Sequence, residues 1–323
     1  MTSGSGAHRE PVVVTGAHRS GTTLLGDILC HADGTWNVWE PFNRHWGLEP
    51  VRVAYPYLTA DDAEDERLLA LKTYLTSGRG RWSVKEGPAG PSHPRTHAAV
   101  KTLKRRALWL RNRSAVPVVK DPFVLLSLNA LQAGLTSRTV VVSVRHPCSW
   151  ILSLRRMSWP AGPELNDLIS QSALYEEHLA DRLPARDWTK ADDLTAGAVA
   201  WMCLYGMVLD QVRMGAKVLM VPLEGFAQDP VSVMWVIFDA VGLASPSDIE
   251  DLAVRYTQSD RTVTPDSSTK HLLQRDSKGL SEAWKSKLAA AEIARVRELT
   301  EPVFGALYSD WDAPDGAPRL LAP

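Results

Sequence analysis

The chain has 323 residues, a formal net charge of −1 and charged side chains at 23% of positions. That length allows one large α/β domain or two small ones with a substantial core, and the near-zero charge leaves no nucleic-acid footprint. Three cysteines, Cys30, Cys148 and Cys203, lie in apolar or helical stretches without a CxxC pair, which argues against a disulfide framework and for a reducing, cytoplasmic setting.

Residues 1–10 are small and polar and lack the apolar core of a signal peptide, so a flexible tail is expected before a single domain at 11–323. PVVVTG (11–16) reads as a buried parallel strand ending at glycine. From Gly21 the pattern turns helical, with Leu24, Leu25, Ile28 and Leu29 on one face. Residues 41–115 look irregular, and GPAGPSHPRTH (87–97), with three prolines, reads as a loop. Further strands are expected at VPVVK (116–120), TVVVSV (139–144) and KVLMVPLE (217–224). Helices are expected over about 192–214, 230–242, 247–257 and 281–300. The last has a start signal at Ser281 and an apolar face of Trp284, Leu288, Ile293, Val296 and Leu299. The longest apolar runs, such as AVAWMCLYGMVL (198–209), are too short to span a bilayer. The expected fold class is α/β: a P-loop-like three-layer fold with a central parallel sheet flanked by helices.

TGAHRSGTTLL (15–25) joins the first strand to the first helix. Gly16 and Gly21 keep the spacing of the phosphate loop GxxxxGK[ST], and Thr23 keeps its final hydroxyl. Thr22 stands where the lysine belongs, and the cation has moved to Arg19. Backbone amides at a helix start still hold a phosphate, but the reach to a β,γ-diphosphate is gone. The pattern suits a single phosphate whose leaving oxygen lies near the loop. A small-molecule kinase using ATP and a non-catalytic nucleotide-binding module are the alternatives; the first needs an acid for magnesium, and only Asp121 follows an apolar strand closely.

At Arg19-Ser20-Gly21-Thr22-Thr23 the chain resembles sulfotransferases that use 3′-phosphoadenosine 5′-phosphosulfate (PAPS), whose loop reads [KR]-S-G-T-T after the first strand. The resemblance implies that Arg19, Ser20, Gly21, Thr22, Thr23 and Leu24 bind the 5′ end, with Arg19 bridging phosphate and sulfate. VVVSVRHPCSWILSLRR (140–156) resembles the family's 3′-phosphate motif: Arg145 at a strand end and Ser153 eight residues on. Arg155 and Arg156 add positive charge nearby. RDSKGLSEAWK (275–285) resembles the late loop that closes over that phosphate, which implies roles for Arg275, Lys278 and Gly279.

Sulfuryl transfer needs a base for the acceptor's proton. The cytosolic small-molecule branch has a histidine two residues after a lysine; here Lys120 is kept and Pro122 occupies the histidine position. WNVWEPFN (36–43) instead resembles the Glu-Pro segment of carbohydrate sulfotransferases and many bacterial members, which implies Glu40 as the base. Lys120 either steadies the leaving phosphate with Arg19 or forms a structural ion pair. Asp121 either orients Lys120, contacts the acceptor or is structural. Trp36, Trp39 and Trp46 flank Glu40 and either line a pocket for a small-molecule or carbohydrate acceptor or pack in the core. His93 and His97 are four apart, but Pro91 and Pro94 argue against a helix that would join them on one metal, and no metal is expected.

Overall fold

The computed structural model describes residues 9–84, 93–183, 188–257, 282–313 and 316–322. The elements run β1 (Val12–Thr15), α1 (Thr22–Leu29), β2 (Thr35–Trp39), α2 (Glu66–Ser77), α3 (Pro94–Asn112), β3 (Val116–Lys120), α4 (Leu128–Gly134), β4 (Val140–Val144), α5 (Pro147–Arg156) and α6 (Gly162–Ile169). They continue with α7 (Ser172–Leu174), α8 (Asp193–Arg213), β5 (Val218–Pro222), α9 (Leu223–Gln228), α10 (Pro230–Ala240) and α11 (Ile249–Thr257). After the undescribed segment come α12 (Trp284–Lys287), α13 (Ala290–Leu307) and β6 (Arg319–Leu321). One six-stranded sheet has the order β2-β3-β1-β4-β5-β6. Its first five strands are parallel, and β6 closes the edge antiparallel to β5.

Strand side chains alternate between faces, and that period builds the layers. Val13, Val119, Val142 and Val144 join one apolar cluster with residues of α5, α6, α8 and α13. Val12, Val14, Val118, Val141 and Val221 join the other with residues of α1, α10 and α11. Strands buried on both faces read as unbroken valine runs, which is why β1, β3 and β4 stand out in the sequence.

Three expectations need correction, and one strand was not foreseen. Residues 35–39 form a strand, β2, whose alternate burial marks an edge position. The 41–115 stretch holds two helices. Asp65 caps α2, and Gly78 ends it at φ 66°. α3 begins at Pro94, the first helical position, where the missing N–H is harmless, so His97 is helical after all. α3 buries no residue, so it offers no apolar stripe to read. The fifth strand stops at Pro222, and Leu223 and Glu224 begin α9. The last helix is two pieces: Leu288 is extended, and Glu292 accepts the Ala289 amide at 2.9 Å to restart the helix as α13. No helix among the described residues is long and apolar enough to cross a membrane.

Gly26 lets α1 lie directly on the stem of Lys120: a Cβ there would sit 2.7 Å from Lys120 Cγ. Gly→Ala inside a helix usually stabilises by about 1 kcal/mol. Here Gly26→Ala is expected to destabilise by about 1–3 kcal/mol, because Lys120 is enclosed and must shift. Urea denaturation reads the sign directly.

Candidate active site

Parallel strands end on one edge of a sheet, and ligands of open α/β sheets bind along that edge. Here it gathers, in spatial order, Glu40 after β2, Lys120 at the end of β3, the glycine loop after β1, Arg145 after β4 and Glu224 after β5. These positions span 184 residues of sequence and four strand spacings.

The loop is held from beneath. Gly16 (φ 145°) turns so close to β4 that a Cβ would fall 2.3 Å from the Ser143 carbonyl oxygen. The Ser20 hydroxyl donates to Ala17 O at 2.5 Å and meets Ser143 Oγ at 2.7 Å, while its amide also donates to Ala17 O. Ser20 is fully buried, and its hydroxyl shapes the loop. Tyr205 Oη accepts from the Ala17 amide at 3.3 Å and donates to Ser143 O at 2.9 Å. Tyr55 Oη accepts from the His18 amide at 3.1 Å, and Trp150 Nε1 donates to His18 O at 2.7 Å. The first bond of α1 runs from Leu25 N to Gly21 O, so the amides of Thr22, Thr23 and Leu24 precede the helical ladder and point to the loop mouth. Arg19 at φ 67° lifts its side chain towards Trp159, with Cζ 5.9 Å from the ring centre.

Tyr55, Ser143, Trp150 and Tyr205 were missed in the sequence because no local pattern ties them to the loop; each reaches it through the packed sheet or α8. Tyr205→Phe leaves the Ala17 amide and the Ser143 carbonyl without their hydroxyl. Stability is expected to fall by about 1–3 kcal/mol in chemical denaturation, with the fold retained.

Beside the loop lies a second cationic seat. Arg145 Nη1 donates to Arg19 O at 3.5 Å. Burial, with Arg156 and Arg19 nearby, pushes the Arg145 guanidinium down to about 10, while the buried Glu224 carboxylate works the other way. Ser153, on α5, is 1% exposed, and its hydroxyl has no hydrogen-bond partner among the described residues. A buried hydroxyl without a partner among the described residues, on the helix that follows the strand ending just before the buried Arg145, is what a bound anion would satisfy. Arg155 does not add free charge here, because it pairs with Glu292 at 2.8 Å.

Glu224 anchors this corner: Oε1 accepts from the His146 amide at 3.0 Å and Oε2 from Tyr308 Oη at 2.9 Å. His146 is enclosed by aromatic rings and stacks on Trp284 with centroids 4.5 Å apart. Burial pushes its imidazole down to about 3. The folded value lies below the unfolded one, so the neutral ring's contribution is present above about pH 6.5 and fades as pH falls towards 3. Wild-type stability is therefore expected to drop relative to His146→Phe by about 2–3 kcal/mol between pH 7 and pH 4.5, read by parallel urea titrations.

At the other end of the edge, Lys120 Nζ donates to Glu40 Oε1 at 2.6 Å and sits 3.7 Å from the centre of the Trp39 ring. Asn43 Nδ2 holds Glu40 Oε2 at 2.8 Å, and the Glu40 amide continues the sheet by donating to Lys120 O at 2.9 Å. Glu40 adopts φ 46°, a strained conformation for a residue with a Cβ. Burial lowers the Lys120 ammonium, opposed by Glu40. Lys120 thus pairs with the Glu40 carboxylate. Asp121 is fully buried and accepts from the Phe42 amide at 2.5 Å and the Phe123 amide at 2.9 Å. Burial and Glu40 push its carboxyl up to about 7. Asp121 therefore fastens the loops after β2 and β3. The three tryptophans divide: Trp36 packs in the core against Tyr74, Trp39 lies under Lys120, and Trp46 is exposed beside Lys101.

Arg275, Lys278, Gly279 and Ser281 lie outside the described residues. Among the described residues no cluster of three histidine, cysteine or acidic side chains is arranged to hold a metal ion.

No family model matches the chain, and neither does any curated protein. Solved structures with a similar course include the sulfotransferase domain of the olefin synthase from Synechococcus PCC 7002, at 16% identity and a TM-score of 0.46, covering 92% of this chain and 96% of that one. Sulfotransferase STF9 from Mycobacterium avium is 14% identical with a TM-score of 0.41, over 93% of this chain and 77% of that one. A sulfotransferase from Alicyclobacillus acidocaldarius is 15% identical with a TM-score of 0.34, over 92% and 98%.

Proposed function

We propose that this chain is a PAPS-dependent sulfotransferase that moves a sulfuryl group to a hydroxyl of a small-molecule or carbohydrate acceptor. The observation that carries the reading is a lysine-less loop with open helix-start amides, and beside it the buried Arg145, whose Nη1 donates to Arg19 O, with a buried Ser153 hydroxyl on the following helix that has no partner among the described residues. A nucleotide with phosphate groups at both its 3′ and 5′ positions would satisfy both seats at once. PAPS supplies an activated sulfuryl group when bound.

In this reading the amides of Gly21, Thr22, Thr23 and Leu24 and the Arg19 guanidinium hold the 5′ end. Arg145 and Ser153 hold the 3′-phosphate, with Arg275, Lys278 and Gly279 closing over it. Glu40 accepts the acceptor hydroxyl's proton as the new S–O bond forms and the S–O bond to phosphate breaks. Arg19 and the loop amides meet the charge left on the phosphate oxygen. Lys120 and Asn43 keep the Glu40 carboxylate in position, and a carboxylate accepting two hydrogen bonds retains lone pairs for that proton. The ATP-kinase alternative would draw its magnesium ligand from Asp121, which is fully buried with its carboxyl pushed up to about 7 by that burial and by Glu40.

Incubation with labelled PAPS and a panel of hydroxylated acceptors tests the reading. A product heavier by one sulfate is the expected result. Transfer from labelled ATP, with none from PAPS, contradicts it.

A further inference from the structure

A cavity of about 870 Å³ opens between the segment after β2 and the start of α3. Its wall begins at Arg44 and His45, directly after the Asn43 that holds Glu40. Four arginines face it: Arg44, Arg52, Arg81 and Arg95. Arg44 pairs with Asp167 at 2.8 Å and Arg81 with Glu49 at 3.3 Å. Arg52 and Arg95 pair with no carboxylate among the described residues, so the cavity keeps an excess of positive charge on a chain whose net charge is −1.

The helix forming one wall is cationic throughout. α3 carries Arg95, Lys101, Lys104, Arg105, Arg106 and Arg111 and no aspartate or glutamate. Lys101 links cavity and carboxylate. It stands between the cavity residues Ala98 and Thr102, donates to Ser83 O at 3.1 Å and to Trp46 O, and feels the Glu40 charge. Arg105, one turn on, lies 4.5 Å from the centre of the Trp82 ring in the cavity wall and feels Glu40 too. A neutral sugar or alcohol gives such a wall nothing to neutralise; a carboxylate, phosphate or sulfate group does.

We propose that this cavity seats the acceptor, and that the acceptor is a small molecule bearing an anionic group in addition to its hydroxyl. The anionic group docks at Arg52 and Arg95, and the hydroxyl extends past Lys101 towards Glu40. The acceptor role rests on the transferase reading above; the anion preference of the cavity does not.

Citrate serves as the probe, titrated calorimetrically into the full chain at low ionic strength. Arg52→Ala/Arg95→Ala is expected to weaken citrate at least tenfold, whereas Arg19→Ala, on the phosphate loop, changes it less than twofold. Equal binding to wild type and the double variant, or a loss confined to Arg19→Ala, overturns the proposal. A second arm compares hydroxy acids with the corresponding neutral hydroxy amides as sulfate acceptors. The acids are expected to have kcat/KM at least tenfold higher, an advantage lost in the double variant; equal use of both members overturns the proposal. If PAPS labels no acceptor while the citrate contrast holds, the transferase reading fails and the anion site stands.

Discussion

Replacing Arg145 by alanine is expected to weaken adenosine 3′,5′-bisphosphate by roughly 10- to 150-fold. A hydrogen-bonded charge is worth about 1.5–3 kcal/mol, and Arg145 presents a fork of donors from a buried position. The same change removes the cation that offsets the buried Glu224 carboxylate, so it also costs stability. Arg145→Ala/Glu224→Gln separates the two effects: it should recover much of the lost stability in denaturant while the nucleotide stays weakly bound. Recovery of nucleotide affinity in that double variant would mean that Arg145 supports the fold and touches no phosphate.

Glu40→Gln carries the second large effect. The amide keeps the shape and an oxygen for Lys120 but cannot take a proton. Turnover is expected to fall by about 10²–10⁴-fold, with bisphosphate affinity within about twofold of wild type. Rapid-quench measurement of sulfate transfer together with calorimetric binding gives both quantities. A variant that turns over normally places the base elsewhere; one that loses binding and turnover together makes Glu40 a structural partner of Lys120.

Much of the fold was legible because its strands are doubly buried. Valine runs at 12–14, 118–119 and 140–142 admit one reading, and a glycine loop between strand and helix fixes which edge matters. β2 hid in an aromatic stretch whose alternation covers only five residues. α3 hid because none of its residues is fully buried, and its opening proline resembles a loop residue until it is recognised as the first helical position. At the candidate site, Glu40, Lys120, Arg19 and Arg145 follow the ends of β2, β3, β1 and β4 and so lie along one edge, as the parallel order requires. What the sequence could not reveal is which polar groups are already engaged. Ser20 and Asp121 look like ligand-binding residues in the linear string, but their oxygens accept or donate within the loops they shape. The converse holds for Tyr55 and Tyr205, ordinary aromatics in the string that fasten the loop from 37 and 188 residues away.

Calorimetric titration of adenosine 3′,5′-bisphosphate, adenosine 5′-monophosphate and ATP into the wild-type chain, with and without magnesium, is the most direct test of two neighbouring phosphate seats. The bisphosphate should bind at least tenfold more tightly than the monophosphate, without magnesium, and that preference should vanish in Arg145→Ala. Equal affinity for the two nucleotides, or a preference for magnesium-ATP over the bisphosphate, would contradict the account.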